Sequence, residues 1–167
     1  MFSFLAQCLP CISTVPHNFV AIPKNASLSV CYAMGLAHQH LRASEVPGPR
    51  WAIVRNPYSR ALSAYSFACV NRSQRAEACL GNARNFAEFL RLPDNDLTRP
   101  QSWWLDAPAD LILRFEDLPT AFESQFAVPL EVIHETQPVV EHNDETRALV
   151  ATRYTEDFER FGYVIQN

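Results

Sequence analysis

Two short apolar runs, Phe19–Ile22 and Trp51–Val54, each break off at a marked turn and pass into a segment with helical spacing. The first ends at Pro23-Lys24 and predicts a helix from about Ser27 to His40. The second ends at Arg55-Asn56-Pro57 and predicts a helix from about Tyr58 to Val70, proline being well suited to a first helical position. A third apolar run, Leu111–Phe115, predicts another strand, with a short helix over Thr120–Phe126 behind it. Between the second and third strands, Phe86–Leu90 reads as a short helix and Gln101–Leu105 as a helical turn. Ser44–Arg50 and Pro93–Thr98 read as loops, Arg72–Gly81 as helix end plus loop, and Val128–Asn143 as mainly irregular chain. Asp144–Phe161 carries the clearest amphipathic pattern, with Leu149, Tyr154 and Phe158 as its inward positions. Strands alternating with helices predict an α/β fold with a parallel sheet and right-handed crossovers. The chain contains no internal repeat and no low-complexity segment.

The first strand–turn–helix unit carries candidate chemistry. A tight turn into a helix N-terminus gathers unpaired backbone N–H groups and the positive end of the helix dipole, which suits a phosphate or sulfate. Lys24 adds a point charge, the N–H groups from Asn25 through Ala26, Ser27, Leu28 and Ser29 supply donors, and the hydroxyls of Ser27 and Ser29 add two more. The plainer alternative makes Ser27 an ordinary N-cap and Lys24 a solvated loop residue. In the second unit Arg55 sits at a strand end, where ligands gather in open α/β sheets, and Ser63 follows about two turns into the helix. A forked guanidinium and a hydroxyl from separate elements suit a phosphate dianion. Here the alternative is that Arg55 and Arg60 pair with surface carboxylates and that Ser63 faces solvent.

Taken together, Pro23-Lys24-Asn25-Ala26-Ser27 and Arg55-Asn56-Pro57-Tyr58-Ser59-Arg60-Ala61-Leu62-Ser63-Ala64-Tyr65 resemble the sulfotransferase superfamily. The likeness is greatest to its membrane-type carbohydrate sulfotransferases and their short bacterial relatives. It continues more loosely through Asn85–Phe89, Arg99-Pro100-Gln101, Leu113–Leu118, Glu145-Thr146-Arg147, and Tyr154, Asp157, Phe158 and Phe161-Gly162-Tyr163. The resemblance implies a P-loop-like three-layer α/β fold, a central parallel sheet flanked by helices, forming a single domain over 1–167 with 1–17 as an N-terminal extension. It implies a sulfuryl donor, 3′-phosphoadenosine-5′-phosphosulfate, and a hydroxyl acceptor of carbohydrate type, with no metal required. The first motif would hold the donor's 5′-phosphosulfate, Lys24 serving catalysis at the bridging oxygen. Arg55 and Ser63 would hold the 3′-phosphate.

No general base for the acceptor is evident. Relatives often place a His ahead of the Arg-Pro-Gln stretch, where this chain has Leu97 between Asp96 and Thr98. Asp96 and Glu116 are the named candidates, with Asp94 beside them. His38 and His40 have a His-x-His spacing found in uronyl-type relatives, but a straight helix from Ser27 would carry them ~16–20 Å from the phosphate end. At a helix C-terminus they have a structural explanation.

Composition narrows the remaining classes. With 48% hydrophobic and 11% aromatic residues the chain can bury a core without staples. A formal net charge of −4 and the lack of a long basic run argue against an extended nucleic-acid contact. Met1–Val15 is mostly apolar but has no basic residue and is interrupted by Pro10, a poor leader, and no segment reaches the ~20 apolar residues of a membrane span. A soluble, cytoplasmic protein is expected. Cys8 and Cys11 have redox-motif spacing but precede the first strand, Cys31 reads as a buried small hydrophobe, and Cys69 and Cys79 are expected to be free thiols. Two other functions stand beside sulfuryl transfer: a non-catalytic binder of the nucleotide that lacks a base, and a P-loop nucleotide kinase. The kinase loop needs glycines, and none occurs between Met1 and Met34.

Overall fold

The computed structural model describes residues 18–71, 73–131, 133 and 136–166. The extension over 1–17, with Cys8 and Cys11, lies outside the described residues. Three parallel strands, β1 (Phe19–Val20), β2 (Trp51–Val54) and β3 (Leu111–Arg114), form a sheet in the order β1-β2-β3. Register pairs Phe19 with Trp51 at one edge and Trp51 through Val54 with Leu111 through Arg114 at the other. β2 is central and buried along its whole length. Its alternate side chains therefore serve two cores. Ala52 and Val54 join Val20, Trp104 and Phe161 on one face, while Trp51 and Ile53 join Val30, Phe122 and Phe126 on the other.

Helices cover both faces, giving the three-layer α/β architecture. In chain order they are α1 (Ser27–Met34), α2 (Pro57–Val70), α3 (Gln74–Leu80), α4 (Phe86–Leu90), α5 (Gln101–Trp104), α6 (Thr120–Phe126), α7 (Asp144–Arg153) and α8 (Thr155–Phe161). A third apolar cluster packs α2, α3, α4, α7 and α8 through Tyr65, Phe89, Val150 and Phe158. Cys31, Cys69 and Cys79 are free, the first and last of them buried. Among the described residues no helix is long and apolar enough to cross a membrane.

Four elements depart from the pattern-based expectation. β1 stops at Val20 because the Ile22 N–H turns back to the Val20 carbonyl and the Ala21 carbonyl faces His40. α1 stops at Met34, six residues before His40. Gly35 takes the left-handed conformation there, and the N–H groups of Gly35 and Leu36 close on the carbonyls of Tyr32 and Cys31. The polar stretch read as helix end plus loop contains α3, started by the Ser73 hydroxyl accepting from Ala76 N–H. The long amphipathic segment is two helices, interrupted at Tyr154, whose hydroxyl donates to the Thr98 carbonyl.

Candidate functional site

The turn between β1 and α1 is built from two non-glycine residues with positive φ, Lys24 at 69° and Ala26 at 58°. Each such conformation costs ~1–2 kcal/mol, and strain of this kind clusters at binding and catalytic sites. The turn aims the start of α1 at the carboxyl end of the sheet. No side chain caps this end, and its first backbone bond runs from Val30 N–H to the Ala26 carbonyl at 3.0 Å. The N–H groups of residues 26–29 are thus presented where the dipole is positive. Two expected donors are otherwise engaged. Asn25 N–H turns back to the Ile22 carbonyl, and the Ser29 hydroxyl donates to the Ile133 carbonyl at 3.5 Å while accepting from Ile133 N–H at 3.0 Å.

Arg55, at the carboxyl end of β2, leans across to this turn. Its Nη1 donates to the Lys24 carbonyl at 3.1 Å, its Nε to Ser59 Oγ at 3.0 Å, and its guanidinium lies 4.0 Å from the Phe115 ring centroid. The Lys24 ammonium rests over Phe67, 4.2 Å from the ring centroid. Burial, and then the Arg55 charge, hold its pKa down to about 8.

Beneath the turn lies a buried polar network, of whose members the sequence pointed only to Asn25 and Arg55 as functional. Asn25 Nδ2 donates to the Ile53 carbonyl and to Gln101 Oε1, both at 2.7 Å. The Gln101 amide also meets the Arg55 peptide in both directions, accepting from its N–H and donating to its carbonyl, each at 2.8 Å. Asp157, fully buried, accepts from Gln101 and Ser102 N–H at 2.8 Å each. Arg60 is buried too, donating to the carbonyls of Pro23 and Arg99, so the surface pairing weighed for it is not what the structure shows. Both motif loops are therefore tied to the start of α5 and to α8. In the sequence Arg99-Pro100-Gln101 and Asp157 stand out only through the family resemblance. The signal in hand was an amide directly after Arg-Pro at a predicted helix start.

Asp157→Ala should strip the acceptors from two buried N–H groups at ~1–3 kcal/mol each. A loss of ~2–4 kcal/mol in chemical denaturation is the expected result. A loss below ~1 kcal/mol would mean that water replaces the carboxylate and that the network does not hold the loops.

Because α1 ends at Gly35, the following chain returns toward the N-terminus of its own helix. His38 and His40 do not sit at a helix C-terminus, nor far from the phosphate end. His38 Nε2 lies 3.2 Å from Ser27 Oγ, and His40 Nδ1 donates to the Ala21 carbonyl. The two rings pack edge to face with centroids 4.7 Å apart. Burial lowers both pKa values, with the Arg75 charge adding to the effect on His38, so neutral imidazole is favoured.

These groups face one cavity of about 1010 Å³. Small-molecule sites are commonly ~300–1,000 Å³, so there is room for a nucleotide and part of a second molecule. Lys24, Arg55, Ser63, His38, His40 and Arg75 all line it, and the described lining residues include no carboxylate. Ser63 is buried on the cavity wall rather than facing solvent. Leu97 lines the wall as well. The two carboxylates named as bases are not part of that lining. Asp96 pairs with Arg75 at 2.6 Å and with Arg99 at 3.7 Å. Glu116 accepts from Asn56 N–H at 2.7 Å and from the Tyr163 hydroxyl at 2.9 Å. Asp94 pairs with Arg153. Trp103 is packed between the Arg42 and Arg99 guanidinium groups, and Trp104 is core, so neither offers a free stacking face to the cavity.

Comparison with protein families gives a match to the model described as the Sulfotransferase family, over residues 37–110. Those residues belong to the Sulfotransferase family. The matched segment begins beside His38 and takes in Arg55, Ser63 and Gln101; Lys24 and α1 precede it. No curated protein and no solved structure matches the chain. The family of this segment implies 3′-phosphoadenosine-5′-phosphosulfate as donor. The uncapped α1 N-terminus and the cationic, carboxylate-free described wall fit a ligand with anionic groups at both ends.

Proposed function

We propose that the protein transfers a sulfuryl group from 3′-phosphoadenosine-5′-phosphosulfate to a hydroxyl acceptor, of carbohydrate type by the family resemblance. The observation that carries this reading is the convergence of the uncapped α1 N-terminus, Lys24 and Arg55 in one cavity. When bound, the donor supplies a sulfuryl group on a phosphate leaving group. The N–H groups of residues 26–29 hold the 5′-phosphate, and Lys24 balances the charge that develops on the bridging oxygen. Arg55 and Ser63 hold the 3′-phosphate and fix the donor's direction.

His38 takes the acceptor proton as general base, with His40 packed edge-on behind it. This role passes to His38 from Asp96 and Glu116 because their carboxylates are committed to Arg75, Arg99, Asn56 and Tyr163. A neutral imidazole beside the α1 N-terminus supports an enzyme over a binder that lacks a base.

The reading is tested first by nucleotide binding. A charge-assisted contact to the 3′-phosphate contributes ~1.5–3 kcal/mol, so 3′-phosphoadenosine-5′-phosphate should bind roughly ten- to a hundredfold more tightly than adenosine-5′-phosphate. Equal affinities by calorimetry would remove the 3′-phosphate site and the donor assignment with it.

A further inference from the structure

Of the 14 lysines and arginines, Lys24 is the only lysine. Arginine keeps its charge under all ordinary conditions, whereas a buried lysine gives up its proton readily. The surroundings of Lys24 push it that way. It is largely buried, Arg55 from the end of β2 repels its charge, and the other described charged or titratable groups on the cavity wall are His38 and His40 beyond α1 and Arg75 and Cys79 on α3. None of these is a carboxylate. A neutral amine could not balance charge on a leaving phosphate, so something has to favour the ammonium.

Phe67 is placed to do so. It lies on α2 one turn beyond Ser63, half-buried on the cavity wall, with Lys24 Nζ 4.2 Å from its ring centroid. The negative face of an aromatic ring attracts a cation, and more strongly away from water. We propose that Phe67 is a positioning residue for Lys24, its ring face keeping the ammonium charged and held in the cavity beside the α1 N-terminus. A leucine at this position would preserve apolar packing and remove the quadrupole. The purpose of this contact rests on the sulfuryl-transfer reading, but its test does not.

Protein labelled with 13Cε-lysine gives a single lysine side-chain resonance, so the Lys24 titration can be read directly by NMR in the nucleotide-free full chain. Removing the ring removes a contact that favours the charged form. Phe67→Leu should therefore weaken proton affinity at Lys24 about two- to thirtyfold, lowering the pKa by about 0.4–1.5. Phe67→Tyr keeps a ring face and should titrate like the parent, and Phe67→Trp, the strongest cation–π partner, should titrate higher. In turnover assays the alkaline limb should move down by the same amount in Phe67→Leu, with donor affinity near pH 6.5 little changed. An unchanged or raised Lys24 titration in Phe67→Leu would overturn the proposal, as would a tyrosine variant that titrates like the leucine one. If Phe67→Leu does not fold, a tryptophan variant with no rise over the parent is the overturning result. Absence of sulfuryl transfer in every variant would count against the reaction and leave the titration to decide the role of Phe67.

Discussion

Replacing His38 with alanine is expected to lower saturated sulfuryl-transfer turnover by ~10²–10⁴-fold, the usual range for loss of a general base. Nucleotide affinity should stay within about threefold of the parent, because the expected phosphate holders are Lys24, Arg55, Ser63 and the α1 N–H groups. The pH dependence provides a second readout. Burial and Arg75 lower the His38 pKa from its ordinary value of 6.5. A base works in its neutral form, so activity should fall on the acid side with a limb below 6.5, and that limb should vanish in His38→Ala. His40→Ala should have a smaller effect on turnover, since His40 contacts the Ala21 carbonyl and supports the other ring. Steady-state kinetics on both variants, with direct nucleotide binding, decide the matter. If His38→Ala keeps near-parental turnover, the base lies elsewhere. If the acid limb survives in it, the limb belongs to another group.

Lys24→Ala should lower turnover by about a hundred- to a thousandfold, corresponding to ~2.7–4 kcal/mol at the transition state, with a smaller loss in donor affinity. The reason is the direction of charge movement. Negative charge builds on the bridging oxygen only as the S–O bond breaks, so a cation there gains most in the transition state. Arg55→Ala should do the reverse, because the 3′-phosphate carries the same charge before and after transfer. It should weaken donor binding and retain more of the saturated rate. The contact of Arg55 with the Lys24 carbonyl adds a test of coupling. Loss of Arg55 loosens the turn that carries Lys24, so the two variants should combine with less than additive effect. A Lys24→Ala protein with normal saturated turnover and only weakened affinity would make Lys24 an anchor for the phosphate and nothing more.

Much of this site is local in the chain. Apolar runs ending at Lys24 and at Arg55 specify strand–turn–helix units by themselves, and β2 and α2 appear within a residue of where the spacing puts them. A candidate phosphate cradle needs only such a unit, which is why the sequence by itself could suggest one. The placement of His38 was less accessible. Its signal was Gly35, a residue that favours the left-handed conformation ending a helix, set within a run whose spacing otherwise continued. One turn of backbone there separates a histidine far from the cradle from one in contact with Ser27.

Asp96, Glu116 and Asp157 show where sequence alone stops. All three are carboxylates near recognisable motifs, and nothing local distinguishes them. Their roles are assigned by partners remote in the chain: Arg75 for Asp96, Asn56 and Tyr163 for Glu116, and the N–H groups at the start of α5 for Asp157. By itself the sequence determined the strand–turn–helix units and the parallel α/β plan, since these depend on periodicity and backbone chemistry over a few residues. Only the tertiary structure decided which polar side chains are spent on holding the loops and which are left facing the cavity. Hydrogen-bond partners and desolvation are set by packing between distant segments.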